Sequence, residues 1–184
     1  MKAKKLVALA IPIMLLAGCG TDKTDVKTKE KVNIKSESKP LQESKVDKVK
    51  PVDVGNYSTE EYINSLSDIA LEMEDKVTEM DNLLVGEDLP LHSKYKYIKL
   101  AEESIDLSVQ ARELKVPKEF AEVHKDVDRA MQMYSTGFQY QIDYVKKPDP
   151  KNSNKAIEVI TEAGNLWLET SERLGKEYSK VVLQ

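Results

Sequence analysis

The stretch FAEVHKDVDRAMQMYSTGFQYQIDYV, residues 120–145, decides the fold of this chain. Core-forming side chains recur in it at alternating steps of three and four residues. They are Phe120, His124, Val127, Met131, Tyr134, Phe138, Ile142 and Val145. An α-helix turns once in 3.6 residues, so all of them lie on one face. The pattern predicts a long helix with one buried side.

The residues on either side predict where this helix begins and ends. Val116-Pro117 marks a break, with Pro117 expected at the first helical position, where its missing N–H leaves no hydrogen bond unmade. After residue 145 comes KKPDP, residues 146–150. Lysines are favourable near a helix C-terminus, and the two prolines cannot continue the helix.

Three further helices follow from the same periodicity. The first has a capping box of Ser58 and Glu61 and ends at Val85-Gly86. The second begins after Pro90. The fourth is expected to be capped by Asn152 or Ser153 and to fray after Leu174.

Four helices of similar length with short connections predict an all-α fold, an up-down-up-down four-helix bundle covering residues 57–184. The alternative is an elongated three-helix bundle in which the second helix breaks near Tyr95. No strand-like alternation and no internal repeat stand out.

The N-terminal residues 1–18 have the form of an export signal. Three lysines within the first five residues precede an apolar segment, residues 6–16. That segment is about half the length of a membrane-spanning helix, and Pro12 interrupts it. We therefore expect a cleaved signal peptide and not a permanent span.

The next residues, Leu16-Ala17-Gly18-Cys19, resemble the lipobox of bacterial lipoproteins. The resemblance implies a diacylglyceryl group, with palmitate among its acyl chains, on the sulfur of Cys19 and cleavage just before it. Cys19 is the sole cysteine, so no disulfide explains it. The alternative is an ordinary residue after an ordinary signal peptide. Lipidation would anchor the protein on the extracytoplasmic face of the cell membrane.

Together with Pro117-x-x-Phe120-x-x-x-His124, the lipobox makes the chain similar to small uncharacterised helical lipoproteins of bacillus-type Gram-positive bacteria. This resemblance implies location and helical form, but no activity.

The charges of the segments differ in sign. Residues 19–56 comprise Cys19 and a polar tether that we expect to be disordered, because it has few large apolar side chains. Its net charge is +2, whereas residues 57–184 carry 25 acidic and 16 basic side chains, a net −9. An acidic domain without a basic face argues against a nucleic-acid partner.

Two sets of residues are candidates for a functional site. His124 and Asp128, four residues apart on one helix face, suit two ligands of a zinc site, although a buried structural histidine is the simpler interpretation. Neither histidine has the Glu-x-x-His spacing of di-iron bundles. The aromatic residues suited to an interaction surface, or else to core packing, are Tyr95, Tyr134, Tyr140, Tyr144 and Trp167.

No nucleophile, phosphate loop or carboxylate pair is recognisable, so we expect no enzyme and assign no cofactor. The sequence favours a membrane-anchored module that binds a protein or an envelope component. One alternative is a carrier of a metal, haem or small apolar ligand in the bundle core. Another is a surface exclusion or immunity lipoprotein.

Overall fold

The computed structural model of the protein describes residues 52–83 and 90–183. Four predictions lie outside these residues: the signal peptide 1–18, the lipidated Cys19, the tether up to residue 51, and the helix end at Val85-Gly86.

Four α-helices form the described part of the chain: α1 (Thr59–Leu83), α2 (Leu91–Arg112), α3 (Ala121–Lys146) and α4 (Pro150–Val182). The all-α prediction is confirmed. Since α2 runs unbroken through Tyr95, the three-helix alternative is wrong.

The predicted helix starts are right for α1 and wrong for α3 and α4. The Glu61 amide donates to Ser58 Oγ at 3.2 Å, as a capping Ser should. Before α3, a 3₁₀ helix spans Lys118–Phe120, and Pro117 lies ahead of it. For α4 the cap is Asp149, whose Oδ1 accepts from the Lys151 amide at 2.9 Å. Pro150 suits the first helical position because that position needs no N–H donor.

The C-terminal part of α4 is longer than predicted. It has 33 residues and ends at Val182, beyond the fraying expected after Leu174. Tyr178 and Val181 are partly buried against the core. Their burial favours the last two helical turns despite the low helix propensity of Gly175.

A short strand pair, which the sequence pattern did not reveal, joins the start of the domain to the α2–α3 connection. Strand β1 (Val54–Gly55) runs parallel to β2 (Val116–Pro117). The Val116 amide also donates to the Asp53 carbonyl at 2.9 Å, and Val52 packs against the core. Residues 52–56, which the sequence pattern assigned to the tether, are therefore attached to the helical domain by backbone pairing and by Val52.

The core receives side chains from all four helices, and its largest fully buried members include Trp167, Phe120 and Phe138. The main helix contacts are α1 with α2, α2 with α3, and α3 with α4. Ion pairs between helices follow the same three contacts. They are Lys76–Glu103 (2.8 Å) and Lys96–Glu79 (2.5 Å) between α1 and α2, Arg112–Asp128 (2.7 Å) between α2 and α3, and Arg173–Asp126 between α4 and α3.

Candidate functional site

His124 lies in the first turn of α3 and is completely buried. Its Nδ1 is 2.9 Å from the hydroxyl of Tyr62, which lies near the start of α1. The Tyr62 ring packs edge-on to the imidazole, and its centroid is 5.3 Å from that of Phe120. The hydrogen bond thus joins α1 to α3 inside the core.

Burial decides the protonation state of this pair. Desolvation lowers the pKa of His124, while the Arg112 backbone and the Asp128 carboxylate act in the opposite sense. Desolvation also raises the pKa of Tyr62. Both groups are therefore neutral near pH 7. Nε2 of His124 is buried without a hydrogen-bond partner among the described residues.

Asp128, the second residue of the predicted zinc pair, has a different partner. One of its oxygens accepts a 2.7 Å hydrogen bond from Nε of Arg112, and the Asp128 side chain is only 21% exposed. Within residues 52–83 and 90–183, no group of three or more His, Cys, Asp or Glu side chains is arranged to hold a metal ion. His124 and Asp128 therefore lack a third ligand there, and both take part in contacts between helices.

The structure divides the five candidate aromatic residues into core and surface. Tyr134 and Trp167 are buried, and Tyr134 stacks on Phe138 with 6.1 Å between ring centroids. Neither is accessible at the surface, so their assignment as interaction residues is corrected to core packing. Their places on the apolar faces of α3 and α4 had already allowed this interpretation.

Tyr95, Tyr140 and Tyr144 remain accessible. Tyr95 is 69% exposed in the second turn of α2, and Tyr144 is 38% exposed near the end of α3. Tyr140 is half-buried, with the Lys155 ammonium 5.3 Å from its ring centroid. Such a cation–π contact is weak at an exposed position and leaves the ring available.

Several aliphatic side chains that the sequence pattern did not single out are exposed, among them three on α1 and α4. Leu71 of α1 is 41% exposed, and Ile157 and Leu168 of α4 are 45% and 39% exposed. The sequence does hold a signal for the α4 pair. An 11-residue separation is close to three helical turns, which places both side chains on one line, outside the buried face.

No helix in the described ranges combines the length and the apolar character needed to cross a bilayer. Neither a protein-family model, a curated protein nor a solved structure matches the chain.

Proposed function

We propose that this protein is a lipid-anchored, non-catalytic binding module on the extracytoplasmic face of a bacterial membrane. The observation that carries the proposal is the lipobox Leu16-Ala17-Gly18-Cys19, placed directly after a basic and apolar export signal. The charged tether that follows, up to residue 51, would hold the helical domain about 30 Å from the bilayer if the tether behaves as a flexible coil.

The fold that we propose for the module is an up-down-up-down four-helix bundle. Two sets of contacts support it. Lys76 of α1 pairs with Glu103 of α2, whereas Glu79, later in α1, pairs with Lys96, earlier in α2. The two helices are therefore antiparallel. The same reversal holds between α3 and α4. Asp126 of α3 pairs with Arg173 of α4. Gly137, later in α3, lies against Ile160, earlier in α4.

Binding is favoured over catalysis by what the domain exposes. The histidine most suited to chemistry is buried and bonded to Tyr62, whereas Tyr95 and Tyr144 present their rings to solvent. Exposed tyrosines are frequent in protein interfaces because a rigid apolar ring ends in a hydroxyl that can form a hydrogen bond.

The anchor is tested by replacing Cys19 with Ser in the native host. We expect the unchanged chain to fractionate with membranes and to incorporate a palmitate label, and the C19S chain to lose both properties. A Ser36→Ala chain serves as the matched control and should behave as the unchanged protein does. Label retained by the C19S chain would contradict lipidation at this residue.

The binding role is tested with a photo-crosslinking amino acid placed singly at Tyr95 or Tyr144 in cells. We expect a discrete adduct from at least one of these positions. The same probe at Val109, which is 38% exposed on α2, is the control for random encounters. Adducts of equal yield from all three positions, or from none, would remove the support for an aromatic binding surface.

A further inference from the structure

In the proposed bundle, the outer flanks of α1 and α4 carry three exposed aliphatic side chains. We call these flanks the α1–α4 surface and define it by Leu71, Ile157 and Leu168. Each of these side chains is about two-fifths exposed. The principal helix contacts do not include one between α1 and α4 in the described part of the chain. A methyl group added at Gly175 of α4 would meet nothing within 4 Å, so that side of the helix is open.

The positions of these residues around their helices place them away from the neighbouring packed helix. Leu71 lies about 140° around α1 from Lys76, which pairs with Glu103 of α2. Leu168 lies about 140° around α4 from Arg173, which pairs with Asp126 of α3. In the proposed bundle, these two flanks border the same side.

The charge around the surface is one-sided. Helix α1 carries eight acidic side chains and one basic one, Lys76. Asp68, Glu74 and Asp75 stand three or four residues from Leu71 and are its neighbours on the helix surface. None of the three carboxylates makes an ion pair among the described residues. Along this flank of α4, the exposed or half-exposed positions 157, 161, 168, 175 and 179 are uncharged, and the charged neighbour of Leu168 three or four residues away is another carboxylate, Glu172.

We propose that the α1–α4 surface binds a basic amphipathic helix of a partner protein. The apolar side of that helix lies on Leu71, Ile157 and Leu168, and its Lys or Arg side chains meet the carboxylates around Leu71. Ile157 and Leu168 are about 16 Å apart along α4, which is about three helical turns, so a partner helix of four to five turns is long enough to contact both. Helix-in-groove recognition of this kind uses apolar anchors at i, i+3 or i+4 and i+7.

This inference rests on the proposed binding role and adds the chemistry of the partner. The two are distinguishable, because the crosslinking sites Tyr95 and Tyr144 do not belong to the α1–α4 surface. If adducts form at the tyrosines and the test below fails, the protein is still a binding module, but the α1–α4 surface is not its binding site.

The test uses the full chain in phosphatidylcholine nanodiscs and a fluorescent 18-residue amphipathic helix built from Leu and Lys. Anisotropy reports binding, and empty nanodiscs supply the blank. We expect Leu168→Ser and Leu71→Ser each to weaken binding about tenfold, since central apolar anchors dominate such interfaces. Glu74→Lys should weaken it about fivefold at low salt and less at high salt, because ions screen exposed charges.

Two matched controls accompany these variants. Val109→Ser removes an equally exposed aliphatic side chain from α2, and Glu162→Lys reverses an exposed charge on the outer side of α4. Both should bind as the unchanged protein does. A peptide in which every Lys is replaced by Glu should bind at least tenfold more weakly.

Three results would overturn the proposal. The first is equal binding of the basic and acidic peptides, and the second is equal loss in the Val109→Ser control. The third is self-association in light scattering that Leu168→Ser abolishes, which would assign the surface to a second copy of this chain.

Discussion

The imidazole of His124 resists protonation in the folded protein because charging it would place a cation in the core. Its folded-state pKa lies below the ordinary 6.5, so the unfolded chain binds a proton more readily. The free energy of unfolding is therefore greatest above pH 6.5. It falls as the pH drops below 6.5 towards the folded-state pKa, by at most about 1.4 kcal/mol per pH unit.

Urea unfolding at pH 7.5, 6.5 and 5.5 should reveal this dependence. We expect the pH slope to be smaller in His124→Leu, because the titrating group is gone. The lowered pKa of Glu103, caused chiefly by its hydrogen bond to Lys76, affects stability below its ordinary value of 4.5, outside this range. Equal slopes in the unchanged protein and His124→Leu would show that another group titrates.

Two glycines should respond oppositely to the same substitution. A methyl at Gly137 of α3 would overlap Cγ1 of Ile160, so the Ile160 side chain or the two helices would have to move. We expect Gly137→Ala to lower the free energy of unfolding by about 1–3 kcal/mol. Gly175 has open space, so Gly175→Ala should raise that free energy by about 0.5–1 kcal/mol through helix propensity. Thermal unfolding of both variants checks the sign; a stabilised Gly137→Ala would mean that Ile160 adjusts freely.

The last two turns of α4 show how packing overrides local propensity. Gly175 and the polar residues after it predict a fraying end, but Tyr178 and Val181 reach the core. Leu174, Tyr178 and Val181 follow at steps of four and three residues, which places them on one helix face. That spacing does not show whether the face is covered, because the surface that receives the side chains comes from distant parts of the chain.

Tyr178→Ala should therefore lower the free energy of unfolding by about 1–2 kcal/mol, because the apolar area that the tyrosine ring buries against the core is lost. Val182→Ala is the comparison, since Val182 is 57% exposed, and it should change stability by less than about 0.5 kcal/mol. Chemical denaturation of the two variants measures both values. Equal small effects would indicate that the end of α4 contributes no packing energy.

For the molecule as a whole, the N-terminal boundary of the packed domain depends on a non-local strand pair. Residues 52–56 are attached to the domain by β1–β2, by burial of Val52, and by Tyr57, whose hydroxyl donates to Asp53 at 2.9 Å. The Lys115 ammonium lies 5.6 Å from the Tyr57 ring centroid.

A chain that begins at Tyr57 should consequently unfold more easily than one that begins at Pro51. We expect a difference of about 1–2 kcal/mol, from the burial of Val52 and the lost backbone hydrogen bonds. Urea titrations of the two chains at one pH measure it. Identical midpoints would show that the strand pair adds nothing to stability.

The sequence by itself determined the helical class, the approximate extent of α1 to α4 and the burial of the regular apolar face of α3. These features follow from short-range information: side chains three or four residues apart, Ser58 as a cap and prolines that stop helices. The lipobox is local in the same sense, and the anchor it indicates remains a prediction.

Only the tertiary structure decided the partner of His124, the β1–β2 pairing and the exposure of Leu71. It also decided for the core in the case of Tyr134 and Trp167, whose places on apolar helix faces had left a surface role open. Periodicity assigns a residue to a face, but the neighbouring element decides whether that face is covered. Tyr62 and His124 are 62 residues apart, and no local pattern reports a contact over that distance. Leu71 is exposed for the same reason, because the main contact of α1 is with α2.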